Sequence, residues 1–157
     1  MTQKEDTPMS NINDSVQYVT TLANKLLEIV QKHTNTKIEK TVHTSEPTIM
    51  GEAITTIEIA NTNNHPKHYP ENLNAMMDEV RKLLYTYPDS TVYVTTKNDK
   101  VGQRRYDEHT INMVSDSRES KLPELVVHVQ ITAYQYEKDG EIDFYLTISL
   151  HATGELE

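Results

Sequence analysis

Residues 125–152 read LVVHVQITAYQY (125–136), EKDGE (137–141) and IDFYLTISLHA (142–152), and this stretch decides the fold. In the first arm Leu125, Val127, Val129, Ile131 and Ala133 are apolar at every second position. In the second arm Ile142, Phe144, Leu146, Ile148 and Leu150 repeat the pattern. A period of two is that of a strand with one face buried and one face wet. Asp139-Gly140 between the arms is a favoured centre for a two-residue type I′ corner, in which both central residues take positive φ. A corner there sets Val129 opposite Leu150, Ile131 opposite Ile148 and Ala133 opposite Leu146. Turn chemistry and hydrophobic phase then agree on a C-terminal β-hairpin, 125–136 with 142–152.

The same register fixes an outer face. It predicts His128 opposite His151, Gln130 opposite Ser149, Thr132 opposite Thr147, Tyr134 opposite Tyr145 and Tyr136 opposite Asp143. Side chains directly opposed on an antiparallel pair lie about 5 Å apart at Cβ and interact. Thr and Tyr are good strand residues on any half-solvated sheet. Tyrosine also supplies large amphipathic contact area at low entropic cost, so the row reads equally as a recognition or self-association face. The candidate binding residues are His128, Gln130, Thr132, Tyr134, Tyr136, Asp143, Tyr145, Thr147 and His151.

Upstream, Val16, Val19, Leu22, Ala23, Leu26, Ile29 and Val30 recur at three- and four-residue steps, the stripe of an amphipathic helix beginning at Asp14. Asp14 and Gln17 have capping-box spacing. Residues 37–44 and 49–60 alternate as two strands joined by a turn at Ser45-Glu46-Pro47, and 61–69 is a loop rich in Asn and Pro. Pro70 suits the first turn of a second helix, whose buried stripe is Leu73, Met76, Met77, Val80, Leu83 and Leu84, with Tyr87-Pro88 as its stop. A short strand follows over 91–96, a turn or hairpin loop over 97–105, a weaker strand over 106–114 and a linker over 115–123. The expected fold is α+β: a two-layer sandwich of two amphipathic helices on one face of a mainly antiparallel sheet, in the order α-β-β-α-β-β-β-β. Residues 1–13 form a flexible tail and 14–155 one domain, a division that 157 residues accommodate comfortably.

Composition narrows the function by exclusion. Cysteine is absent, which removes disulfides, thiolate nucleophiles and cysteine-ligated zinc. A net charge of -9 and a pI near 5.2 oppose nucleic-acid phosphate. No apolar run approaches the ~18 residues that span a bilayer, and the N-terminus lacks a signal-peptide layout, so a cytoplasmic location is expected. The four glycines, Gly51, Gly102, Gly140 and Gly154, are scattered, whereas phosphate-cradling loops need them clustered. No Gly-x-Ser-x-Gly elbow or His-Glu-x-x-His pair occurs.

Seven histidines invite a metal reading. Pro66 between His65 and His68 disfavours a helical ligand pair, and His128 with His151 would make only two ligands, so no metal and no cofactor is expected. Lys97, Lys100, Arg104 and Arg105 form the one basic cluster, a possible anion-binding loop. These residues favour a small acidic binding or accessory protein, of inhibitor or adaptor type, that meets a protein partner or itself through the outer sheet face. A small-ligand or metal-dependent enzyme using the outer-face His and Tyr is the alternative in a different class. A structural subunit of a symmetric assembly is the third.

Overall fold

In the computed structural model the described residues are 12–34, 36–44, 52–115 and 124–155; within them the side chains of 12–16, 18, 52, 53, 154 and 155 are left out of the account. The elements are α1 (Ile12–Thr34), β1 (Ile38–Thr44), β2 (Glu52–Asn61), α2 (Leu73–Tyr85), β3 (Ser90–Val101), β4 (Arg104–Ser115), β5 (Glu124–Gln135) and β6 (Ile142–Glu155). All strand pairs are antiparallel, in one sheet of order β1-β2-β6-β5-β4-β3. The α+β class and the element order expected from sequence are those observed. The chain builds the β1-β2 hairpin at one edge, crosses through α2 to the far edge, and returns as a four-strand meander whose last strand closes on β2.

Both helices lie on one side because only one face of each strand is apolar. Val19, Leu22, Ala23, Leu26 and Val30 of α1, and Leu73, Met76, Met77, Val80 and Leu84 of α2, are buried with Ile57, Ile59, Ile111, Met113, Leu125 to Ala133 at odd positions, and Ile142 to Ala152 at even ones. Each such Val, Leu, Ile, Met or Phe side chain contributes about 1.5–3 kcal/mol on leaving water. α1 lies against β1, β2 and β6, while α2 lies against β3 and β4. At its C-terminal end α1 is tied to α2 by Glu79, which takes Lys32 Nζ at 2.8 Å and also meets His33 Nε2. Hydrogen bonds from Lys32 first, then His33, hold the Glu79 carboxyl below its usual range.

Four details depart from expectation. α1 begins at Ile12, so Asp14 lies inside its first turn rather than at the cap and residues 12 and 13 belong to helix, not tail; residues 1–11 lie outside the described part, as do the Ser45-Glu46-Pro47 turn, Ile49 and the linker over 116–123. Pro70 stands before α2, whose N-cap is Asn72 without a side-chain cap. The 97–105 segment is not a loop. β3 and β4 stay paired as far as Val101 and Arg104, turning through Gly102-Gln103 with Gly102 at φ 62, the sign pattern of a type II′ corner. Beyond the helices both faces of this ribbon are wet, so polar residues occupy both and the period of two vanishes while the backbone ladder continues. Its charged residues also blunt the exposed edge of β3.

The last departure is the register of the C-terminal hairpin. Val129 faces Ile148, Ile131 faces Leu146 and Ala133 faces Phe144, two residues from the expected alignment. A two-residue slip preserves the phase, so every inner side chain remains inner. The corner explains it. Gly140 has φ 70 and Asp139 is not among the positive-φ residues, so one left-handed position serves a four-residue loop, 137–140. That loop is closed by Gly140 N–H to Tyr136 O at 3.0 Å and Tyr136 N–H to Glu141 O at 2.9 Å, while Asp139 accepts from Glu141 N–H at 3.0 Å. Replacing Gly140 by alanine should lower stability by about 1 kcal/mol through backbone strain alone, since the nearest atom to the added Cβ is 3.7 Å away. A urea unfolding midpoint unchanged from wild type would refute this corner.

Candidate functional site

The sheet face turned away from the helices is the candidate site. On it the strands align His151 with Val126 and Val114, Ser149 with His128, Asn112 and Tyr93, Thr147 with Gln130 and Thr110, Tyr145 with Thr132, Glu108 and Lys97, and Asp143 with Tyr134, Tyr106 and Asp99. All nine residues singled out from sequence therefore share one face. The cross-strand neighbours change with the register: His128 faces Ser149 rather than His151, Gln130 faces Thr147 rather than Ser149, Thr132 faces Tyr145 rather than Thr147, and Tyr134 faces Asp143 rather than Tyr145. His128 instead bonds Asn112 through Nδ1 at 2.6 Å, and His151 Nδ1 lies 3.1 Å from the Thr56 hydroxyl. A two-histidine ligand pair between these strands is thereby removed.

Tyrosines gather at one end of the face. Tyr134 meets Tyr106 and Tyr136 edge-on, with ring centroids 6.0 and 4.6 Å apart, a geometry that suits the quadrupoles of the rings. Tyr136 donates to Asp143 Oδ2 at 2.6 Å, a bond that pushes its phenol up to about 12. Tyr106 donates to Glu108 and is raised for the same reason. At the other end Val114 and Val126 are adjacent, with Tyr93 beside them. Ile54, Tyr93, Val101, Val114, Val126, Tyr136 and Tyr145 stand on this face and are exposed, whereas Tyr85 is the exposed large apolar residue of α2.

The face also has a charge sign. Glu39, Glu58 and Glu124 project from it and enter no ion pair among the described residues. Of the cations on its strands, Arg104 pairs with Asp99 at 3.0 Å, while Lys97 sits opposite Glu108 in the register. The expected basic loop is therefore divided. Lys97 and Arg104 lie on the outer face, while Lys100 and Arg105 lie on the helix side, where Arg105 Nη1 contacts both oxygens of Glu71 at 2.9 Å. A four-cation anion cradle does not assemble.

Sequence reasoning missed a polar cluster on the helix side, at the foot of the β3-β4 ribbon. Tyr69 is 8% exposed and its hydroxyl lies 2.5 Å from Asp107 Oδ2 and 3.1 Å from Ala133 O, while the Arg105 guanidinium stands 4.2 Å over its ring. Burial first, then the Asp107 bond, drives the Tyr69 phenol far above its ordinary range, so it remains a donor at any physiological pH. Beside this cluster a cleft of about 400 Å³ is lined by Glu71, Asn74, Asn98, Lys100, Arg105 and Asp107. A loop tyrosine and a strand carboxylate 38 residues apart leave no local signal. Tyr69→Phe should cost about 1–3 kcal/mol, because the Ala133 carbonyl and the Asp107 oxygen both lose their donor. Equal urea midpoints for variant and wild type would exclude that role.

One pair further along the same strands, His109 is 1% exposed; Nδ1 lies 3.2 Å from the Thr96 hydroxyl and Nε2 has no partner. Burial lowers its pKa, and Asp107 only partly opposes this. The unfolded chain takes up a proton near pH 6.5 and the folded chain only at lower pH, so this contribution to stability is complete above about pH 6.5 and is lost as the pH falls below it. Between about pH 7 and pH 5 wild type should lose stability relative to His109→Gln, read from paired urea titrations. Parallel pH curves would overturn the assignment.

Compared with known proteins, the chain matches no protein-family model, no curated protein and no solved structure. None of the described helices is long and apolar enough to cross a membrane.

Proposed function

We propose that this protein is a non-enzymatic binding or accessory protein, of inhibitor or adaptor type, whose open sheet face takes a basic protein surface. The observation that carries this reading is the concentration of exposed valine, isoleucine and tyrosine on the one face the helices leave uncovered. Contiguous apolar surface rimmed by polar groups marks interaction sites, and tyrosine is enriched at interface centres. Small molecules prefer concave sites, and the clefts of about 400 and 290 Å³ are not lined by the nine outer-face candidates. Uncompensated Glu39, Glu58 and Glu124, on a chain of net charge -9, favour a cationic partner over a second copy of the same acidic face. The same charge disfavours nucleic acid. Freedom from cysteine supports residence in the cytoplasm.

The test is affinity capture from the native host, with the captured protein identified, purified and titrated against wild type and against Glu58→Lys/Glu124→Lys. The charge-reversed face should bind at least tenfold more weakly, with wild-type affinity falling as salt rises. A purified partner whose affinity ignores both changes would contradict the reading. A discrete symmetric oligomer in light scattering, without a partner, would transfer the face to self-association.

A further inference from the structure

The loop after β2 and the start of β6 bring three ligand-bearing side chains together that lie far apart in sequence. A ring nitrogen of His65 and one carboxylate oxygen each of Glu141 and Asp143 all lie within 4.8 Å of one another, and the His65 Nδ1 to Asp143 Oδ1 distance is 2.9 Å. We propose that His65, Glu141 and Asp143 form a site for one divalent cation of the zinc class, with at least one coordination position left to solvent.

The donor set fits that ion. One imidazole and two carboxylates give nitrogen and oxygen ligands of borderline hardness, and the two carboxylates balance a double positive charge. Calcium takes six to eight oxygens and makes little use of imidazole. With metal–ligand bonds near 2.1 Å, ligand atoms in a tetrahedral sphere stand about 3.4 Å apart. The His65–Asp143 pair already lies inside that separation. Glu141, exposed beside the corner, has only to swing by about an ångström to complete the third vertex. Three protein ligands with a free position is the arrangement of zinc sites that admit water or substrate.

The backbone places these ligands independently of any ion. Asn61 holds the loop to β6, accepting from Leu146 N–H and donating to Phe144 O, both at 2.9 Å, and Phe144 N–H donates to Asn64 O at 2.8 Å. His65 N–H in turn donates to Asn63 Oδ1 at 3.0 Å. Asp143 keeps its second oxygen on the Tyr136 hydroxyl, which orients the first toward His65. Outer partners of this kind set the aim and basicity of a metal ligand, and their loss weakens binding about 10–100-fold. The site borders the open sheet face, sharing Asp143 and Tyr136 with it, but neither Glu58 nor Glu124 enters it, so the charge-reversal test of that face and the zinc test can fail separately.

Zinc titration of the full chain, prepared without a histidine tag, tests the proposal by calorimetry, with circular dichroism as the control for fold. Wild type should bind one equivalent. His65→Ala and Asp143→Asn should each weaken binding at least tenfold, Tyr136→Phe should weaken it about 10–100-fold, and His128→Ala should leave it unchanged. Wild type that takes up no zinc below about 1 mM, or a folded His65→Ala chain that binds as tightly as wild type, would overturn the assignment.

Discussion

Replacing Phe144 by alanine is expected to remove about 3–5 kcal/mol of stability, a large share of the roughly 5–15 kcal/mol that holds a domain together. Phe144 is the only phenylalanine, is 1% exposed, and heads the fully buried side chains by volume. It lies on central strand β6 opposite Ala133. Its backbone also anchors the loop after β2 through Asn64 and Asn61. Truncation would therefore open a cavity where the sheet and that loop meet. Phe144→Leu keeps most of the volume and should cost less than half as much. Urea denaturation measures both, and a loss below about 1 kcal/mol for the alanine variant would mean that Phe144 does not fill the core between sheet and helices.

The second large effect is on binding rather than stability. Tyr145→Ser combined with Val126→Ser removes two apolar groups, 47% and 46% exposed, from the middle strands of the open face. Their exposure means that the fold should change by no more than about 0.5 kcal/mol. If either lies at the centre of a contact, hot-spot energetics of about 2 kcal/mol or more apply, and affinity for the purified partner should fall at least thirtyfold. A variant with wild-type melting and wild-type affinity would place the contact elsewhere.

How far the sequence foretold these features follows from what each depends on. The strand phases of 125–136 and 142–152 were legible because alternation with β-branched residues has a single physical cause, one face out of water. The register was not, because Asp-Gly satisfies two different corners. A two-residue loop needs positive φ at both central positions, whereas the observed loop needs it at Gly140 alone, and Glu137-Lys138-Asp139-Gly140 supplies that too. The β3-β4 extension was illegible because residues such as Lys97, Asp99 and Arg104 carry no hydrophobic period even where they lie in a continuous ladder.

The same division holds for the sites. Membership of the outer face follows from phase, so His128 through His151 were found together. Neighbours across strands follow from register, so the His128–His151 and Tyr134–Tyr145 pairs were misplaced. The Tyr69–Asp107–Arg105 cluster and the His65–Glu141–Asp143 triad depend on where a loop lands against a strand. For the triad, that contact is decided by the Asn61 side-chain amide on Phe144 O and by the Asn64 carbonyl on Phe144 N–H, which no local pattern announces.

Tyrosine footprinting separates the two sides of the molecule in one measurement. With the purified partner bound, Tyr93, Tyr136 and Tyr145 on the open face should lose reactivity toward a solution label, while Tyr85 on α2 should keep it. Protection of Tyr85 with the three sheet tyrosines still labelled would contradict the assignment of the uncovered sheet as the contact surface.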